Sequence, residues 1–212
     1  IMGYTYFYGR KYMVNDKVLV PRPDTEVLVD EVMKLTDSKS RVLDMCTGSG
    51  CIIISLAAAG HTGTDSHCAV GVDISIDALK VAEYNRKLNA ALQVEYINSN
   101  LFDKLENSGL LFDVIVSNPP YIPTDDIRKL DAEVRLHDPM AALDGDTEGL
   151  RFYRAITKAA GEYLNKGGYL CYEIGYNQAQ EVSDIMSEYG YKDIRVIKDL
   201  AGLDRVVIAR YY

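Results

Sequence analysis

A chain of 212 residues, 48% hydrophobic and 25% charged, is long enough to bury one substantial core and reads as one folded domain. Its formal net charge of −8, with Lys and Arg scattered, disfavours nucleic acid as substrate, because neutralising phosphates needs a concentrated basic surface. No apolar run approaches the roughly 20 residues that cross a bilayer, and no basic stretch followed by an apolar one opens the chain, so no membrane partner and no secretory leader are expected.

Cys46, Cys51, Cys68 and Cys171 lack Cys-x-x-Cys spacing and read as reduced, mostly buried thiols of a cytoplasmic protein. Only three histidines occur (His61, His67 and His137), none clustered with a cysteine, so no metal site is expected. Ile1-Met2-Gly3 reads as the interior of a longer chain, and a fragment is the expectation.

In chain order, Tyr4, Tyr6 and Tyr8 alternate at period two, Gly9-Arg10-Lys11 turns, and Tyr12 to Leu19 resumes the run, which predicts a β-hairpin over 1–20. Pro21 and Pro23 then end the strand, and Val27, Leu28, Val32 and Leu35 recur at helical spacing, with Asp24 or Thr25 as the expected N-cap. From Arg41 the pattern is strand, turn, helix, repeated. Strands are predicted at 41–45, 68–73, 93–98, 112–117, 168–174, 193–199 and 204–212. Helices are predicted at 51–60, 75–90, 148–164 and 177–190. Such alternation implies an α/β domain over 21–212 with a mostly parallel sheet, and the last two strands, having no helix between them, form an antiparallel pair at one end. Ligands of such sheets bind beyond the carboxyl ends of the strands, where the strand order reverses.

The loop "VLDMCTGSGCIII" puts Gly48 and Gly50 directly after the first of these strands. A dinucleotide fingerprint wants a third glycine where Ile53 stands, so that fingerprint fails. S-adenosylmethionine, which has no phosphate, suits the loop better: Asp44 can meet its ammonium group, and Gly48-Ser49-Gly50 let backbone come close. Asp73, ending the next strand, can accept both ribose hydroxyls, with Ser75 free to cap the following helix. Asn100, Leu101 and Phe102 end the third strand, where an adenine would lie against an amide and apolar groups.

"DVIVSNPPYIP" stops a buried strand at Asn118-Pro119-Pro120-Tyr121. A planar amine or amide nitrogen is a weak nucleophile whose lone pair must be aimed at the methyl carbon. The Asn118 side-chain oxygen and the Pro119 carbonyl can each accept one N–H, the two prolines stiffen that carbonyl, and Tyr121 can cover the planar group. The pattern suits a glutamine amide and a flipped-out adenine equally.

Taken together, "FYGRKYMVNDKVLVPRPDTE", "VLDMCTGSG", "GVDIS", "VSNPPYIP", "DAEVRLHDPMAALDGDTEGLRFYR" and "DRVVIARYY" resemble the glutamine N5-methyltransferases of class I peptide chain release factors, the HemK or PrmC proteins, almost end to end. The resemblance implies a seven-stranded, Rossmann-like class I methyltransferase sheet, mostly parallel with an antiparallel C-terminal strand and preceded by a hairpin. It implies S-adenosyl-L-methionine as cofactor, S-adenosyl-L-homocysteine as product and a release factor as protein substrate of a monomeric enzyme. Asn118, Pro119, Pro120 and Tyr121 then bind the glutamine amide; Asp44, Cys46, Thr47, Gly48, Ser49, Gly50 and Asp73 bind the cofactor with Asn118, and Asn100 and Leu101 frame the adenine. Arg22 and Thr25 of "PRPDTE" border the site. The family also carries a helical N-terminal domain, so the hairpin is expected to be the remnant of a linker to it. Cys46 replaces a usual glycine, and Asn100 stands where an acidic residue is more usual. Glutamine methylation of a ribosomal protein, adenine N6-methylation and a non-catalytic binding module are the competing readings.

Overall fold

The computed structural model describes residues 3–130 and 138–212, so the Asp131–His137 part of the motif quoted above lies outside the described residues. Seven strands form one sheet in the order β5-β4-β3-β6-β7-β9-β8. They are β3 (Val42–Met45), β4 (Ala69–Asp73), β5 (Val94–Asn98), β6 (Phe112–Ser117), β7 (Leu164–Glu173), β8 (Lys192–Lys198) and β9 (Asp204–Arg210). Neighbours pair parallel except β9, which runs antiparallel to both β7 and β8. Chain order leaves β3 in one direction towards β4 and β5, then jumps back to β6 on its other side. The strand order therefore reverses between β3 and β6.

The central strands are buried on both faces, which is why they read as continuous apolar runs. Leu43, Met45, Ile115 and Leu170 face one core with Tyr153 and Ile156 of α6 (Arg151–Ala160) and Val182 and Ile185 of α7 (Ala179–Glu188). Val42, Val114, Val116 and Cys171 face the other with Leu28 and Val32 of α1 (Asp24–Met33) and Ile53 and Leu56 of α2 (Cys51–Ala58). Helix α3 (Ile76–Leu88) lies beside α2. Two single-turn helices, α4 (Thr124–Ile127) and α5 (Met140–Leu143), belong to the segment after β6. No helix among the described residues is long and apolar enough to cross a membrane.

Strands β1 (Gly3–Phe7) and β2 (Arg10–Val14) form a separate two-stranded sheet. Its inner residues Phe7 and Tyr12 are fully buried against α1 and α2, and the Tyr12 phenol shares a 2.9 Å hydrogen bond with Ser55. The second arm stops at Val14 rather than Leu19, because the Asn15 side chain accepts the Lys17 N–H and turns the chain.

Helix α1 begins directly after Pro23, whose φ of −56° is already helical, and neither Asp24 nor Thr25 acts as the expected cap. The helix predicted at 148–164 shrinks to α6. At its front, Gly145 and Gly149 press on the Tyr121 backbone; at its rear, Leu164 pairs with Phe112 and has already entered β7.

Candidate active site

Asp44 sits one residue before the end of β3 and is completely buried on the α2 side. Its Oδ2 accepts from the Thr47 hydroxyl at 2.6 Å and from the Ile53 N–H at 3.4 Å. Its Oδ1 has no partner among the described residues. Burial raises its pKa to about 7, and the two hydrogen bonds only partly oppose that. An unpaired, buried acceptor this expensive to charge fits a ligand that brings a cation.

The loop above it runs through left-handed backbone at Cys46 (φ 63°), Gly48 (φ 54°) and Gly50 (φ 79°). Gly50 serves two demands, since a Cβ there would stand 2.6 Å from the Tyr96 hydroxyl and 2.9 Å from Ile54. Gly48 is different: nothing lies within 4 Å of where its Cβ would be, so the space over this backbone is open. Thr47 and Ser49 are buried beneath it. Cys46 occupies the position at which a glycine would be unstrained, and burial pushes its thiol pKa up, which makes it an unreactive spacer.

Asp73 ends β4 and is not left free by Ser75. Ser75 does cap α3, accepting the Ala78 N–H, yet Asp73 Oδ1 accepts from Ser75 N at 2.8 Å and Oδ2 from Gly48 N at 2.9 Å. A carboxylate has about four acceptor positions, so both oxygens retain capacity for a diol. Asp73 thus also ties the glycine loop to β4. Burial raises its pKa, against those backbone bonds.

Beyond β5, Leu101 adopts φ 47° and is half-buried, while Asn100 is exposed and donates to Asp103 at 3.1 Å. Phe102 leaves only 5% of its surface exposed. It is buried and stacked on Tyr163 with ring centroids 4.6 Å apart. Leu101, Phe102, Asp103 and Tyr163 line an open cavity of about 540 Å³ at this end.

Across the switch point, Ser117 donates to the Met45 carbonyl at 2.6 Å and pins the end of β6 to the end of β3. Asn118 to Tyr121 follow at once, with Pro119 and Pro120 buried. Asn118 donates through Nδ2 to Thr25 Oγ1 at 3.2 Å. Tyr121 donates its phenol O–H to Glu173 Oε1 at 3.3 Å, and its carbonyl accepts from Gln178 at 3.0 Å. The segment before α1 closes one side: Arg22 pairs with Asp138 at 2.6 Å, and Val20 N donates to the other oxygen of that carboxylate. The structure therefore brings Asp44, Thr47–Gly50, Asp73 and Asn118–Tyr121 to the carboxyl ends of β3, β4 and β6. Glu173, at the end of β7, had not been singled out from sequence. Its signal is a lone carboxylate inside the apolar run "GYLCYEI".

This arrangement is shared with known proteins. A family model described as the methyltransferase small domain matches residues 23–138. The release factor glutamine methyltransferase of Thermodesulfovibrio yellowstonii is 39% identical over 212 residues, covering 98% of this chain and 74% of that protein. That of Fusobacterium nucleatum is 42% identical over 212 residues, covering 99% of this chain, which spans only 58% of that relative's length. The chain belongs to the release factor glutamine methyltransferase family. The crystal structure of the release-factor-specific protein-(glutamine-N5) methyltransferase from Alicyclobacillus acidocaldarius superposes with a TM-score of 0.54 at 31% identity, covering 91% of this chain and 94% of that one. The seven-stranded sheet with its antiparallel β9 and preceding hairpin is the methyltransferase architecture that membership implies.

Proposed function

We propose that this methyltransferase chain transfers a methyl group from S-adenosyl-L-methionine to the side-chain amide nitrogen of a glutamine in a class I peptide chain release factor, leaving S-adenosyl-L-homocysteine. The observation that carries the reading is the Asn118-Pro119-Pro120-Tyr121 tetrapeptide, held by the Ser117–Met45 bond beside the open glycine loop and the unpaired Asp44 oxygen. When bound, the cofactor supplies an electrophilic methyl group. Asp44 offers its free oxygen to the ammonium group, Gly48 its uncovered backbone, and Asp73 its remaining acceptor capacity to the ribose.

The rest of the chemistry is orientation by the protein. Asn118 Oδ1 and the Pro119 carbonyl each accept one amide N–H, turning the nitrogen lone pair toward the methyl carbon. Buried prolines keep that carbonyl fixed, and orientation of this kind supplies up to roughly 7–11 kcal/mol of barrier reduction. The amide nitrogen gains one methyl group and gives up one proton to solvent, so no nucleophilic side chain is consumed. A monomer working in the cytoplasm, where release factors act, is part of the same reading.

Labelled methyl transfer decides it, with intact release factor, a release factor whose target glutamine is alanine, a ribosomal protein and duplex DNA as acceptors. Label in the intact release factor alone supports the proposal. Transfer to DNA or to the ribosomal protein in preference to release factor overturns it.

A further inference from the structure

Asn118 can orient an amide only if its own amide is the right way round. Its two ends are nearly the same shape, so packing alone does not choose between them. With Oδ1 toward the crevice it accepts a substrate N–H; reversed, it presents NH₂ to NH₂ and repels it. Something behind Asn118 has to choose, and the only hydrogen bond its Nδ2 makes among the described residues is to Thr25 Oγ1, at 3.2 Å.

A hydroxyl is itself ambiguous, because it donates and accepts. Thr25 is 2% exposed, in the first turn of α1, which packs against β7 where Glu173 stands, and a hydrogen bond from its O–H to that carboxyl would favour the charged form. Glu173 is also 2% exposed, and its Oε2 completes no hydrogen bond among the described residues. Its Oε1 takes the Tyr121 phenol. An ionised carboxylate, the form Glu173 takes above about pH 7, can only accept. If Glu173 accepts from Thr25, the Thr25 oxygen must accept in turn, and the group it accepts from is the Asn118 NH₂.

We propose that Thr25 and Glu173 are positioning residues that set the amide orientation of Asn118, through a one-way relay from Asn118 Nδ2 to Thr25 Oγ1 to the Glu173 carboxylate. The same carboxylate holds Tyr121, so both ends of the tetrapeptide hang on one buried acidic group contributed by β7. The relay deepens the glutamine-methylation reading and rests on it for its catalytic consequence, though not for its geometry.

The test compares Thr25→Val, Thr25→Ser, Glu173→Gln and the Thr25→Val/Glu173→Gln pair in the full chain. Valine keeps the shape of threonine without the hydroxyl. Glutamine keeps the shape of glutamate but can accept from only one of Thr25 and Tyr121. Thr25→Val is expected to lower kcat on a glutamine substrate about 10²-fold, the usual consequence of misplacing one oriented hydrogen-bonding group. Thr25→Ser should recover most of that loss, while cofactor Kd by calorimetry stays within about twofold. Glu173→Gln should cost at least about tenfold alone and add nothing on top of Thr25→Val, because it acts through the same hydroxyl. Nitrogen-15 NMR reads the relay without catalysis: the Asn118 side-chain amide pair, assigned by its loss in Asn118→Asp, should move in both single variants.

Wild-type kcat in Thr25→Val or in Glu173→Gln overturns the relay. So does a Thr25→Ser as poor as the valine, effects that multiply in the double variant, or Asn118 amide signals that stay in place. Should the wild-type chain methylate no glutamine at all, the functional reading fails, and the NMR comparison alone decides the relay.

Discussion

Asn118 is where the functional reading is most exposed to measurement. Replacing it with alanine removes the acceptor for the substrate N–H and is expected to lower turnover about 10²–10³-fold with cofactor affinity nearly intact. Aspartate separates two roles. It retains an acceptor but cannot donate to Thr25 Oγ1, the contact that Asn118 Nδ2 makes. Because that donation anchors the side chain, Asn118→Asp should fail almost as badly as alanine; an aspartate variant with near-normal kcat would show the Thr25 contact to be dispensable. Cys46 is a second residue with a definite expectation. Its φ of 63° costs a side chain about 1–2 kcal/mol, while the packing of its half-buried thiol returns roughly 1 kcal/mol. Cys46→Gly should therefore shift denaturant-measured stability by less than about 1 kcal/mol. Cys46→Val, β-branched in a left-handed conformation, should destabilise clearly. A valine variant as stable as the glycine one would mean that the strain assigned to this position is not there.

At the scale of elements, the hairpin and α3 converge on one amide. Asn85 is completely buried; its Oδ1 accepts the Met13 N–H at 2.7 Å, and its Nδ2 donates to the carbonyls of Met13 and Ser49 at 3.0 Å each. Strand β2 and the glycine loop are thus fastened to the same side chain. Asn85→Ala leaves one buried and two part-buried backbone groups without their partner and should cost about 2 kcal/mol of stability, and it should weaken the cofactor as well because Ser49 loses its tether. Unfolding curves and calorimetric titration on the same protein check both halves, and loss of stability with unchanged cofactor affinity would detach the hairpin from the site. None of this shows in the sequence, where Asn85 is one polar residue in an amphipathic helix. The strands and helices of the sheet were legible because their apolar periodicities are local properties, and so was a crevice at the carboxyl ends of the strands, since the alternation implies a parallel sheet, though not the order of its strands. Glu173, Asn85 and the burial of Phe102 were not legible, because each depends on contacts between distant segments. The failed cap at Asp24 or Thr25 has the same origin: the Thr25 hydroxyl oxygen accepts from Asn118, 93 residues away, rather than from its own helix.

Across the whole molecule the buried carboxylates make stability depend on pH in a direction opposite to that of a surface salt bridge. Burial lifts Asp44 from 3.8 and Glu173 from 4.5, each to about 7, and Asp73 is raised for the same reason. The acids whose values are lowered, among them Asp16, Asp37, Asp77, Glu83 and Asp199, are ionised in both folded and unfolded chains above pH 5. Between pH 5 and 8 they therefore contribute no slope. Over that window the folded chain binds more protons than the unfolded one at Asp44 and Glu173. The contribution of Asp44 and Glu173 is full below the unfolded values near 4 and is lost as pH rises through about 7, and that of Asp73 has the same sign. The melting temperature of the ligand-free chain should accordingly fall from pH 5 to 8 and level off above. Asp44→Asn should remove part of that fall, and Glu173→Gln another part. A cationic ligand reverses the balance at Asp44, because it favours the ionised form that the empty pocket penalises. S-adenosylmethionine affinity should therefore rise with pH through about 7 in the wild-type chain and lose most of that rise in Asp44→Asn. A melting temperature that climbs from pH 5 to 8, or an affinity profile identical in wild type and Asp44→Asn, would mean that the free oxygen of Asp44 does not meet the cofactor's charge.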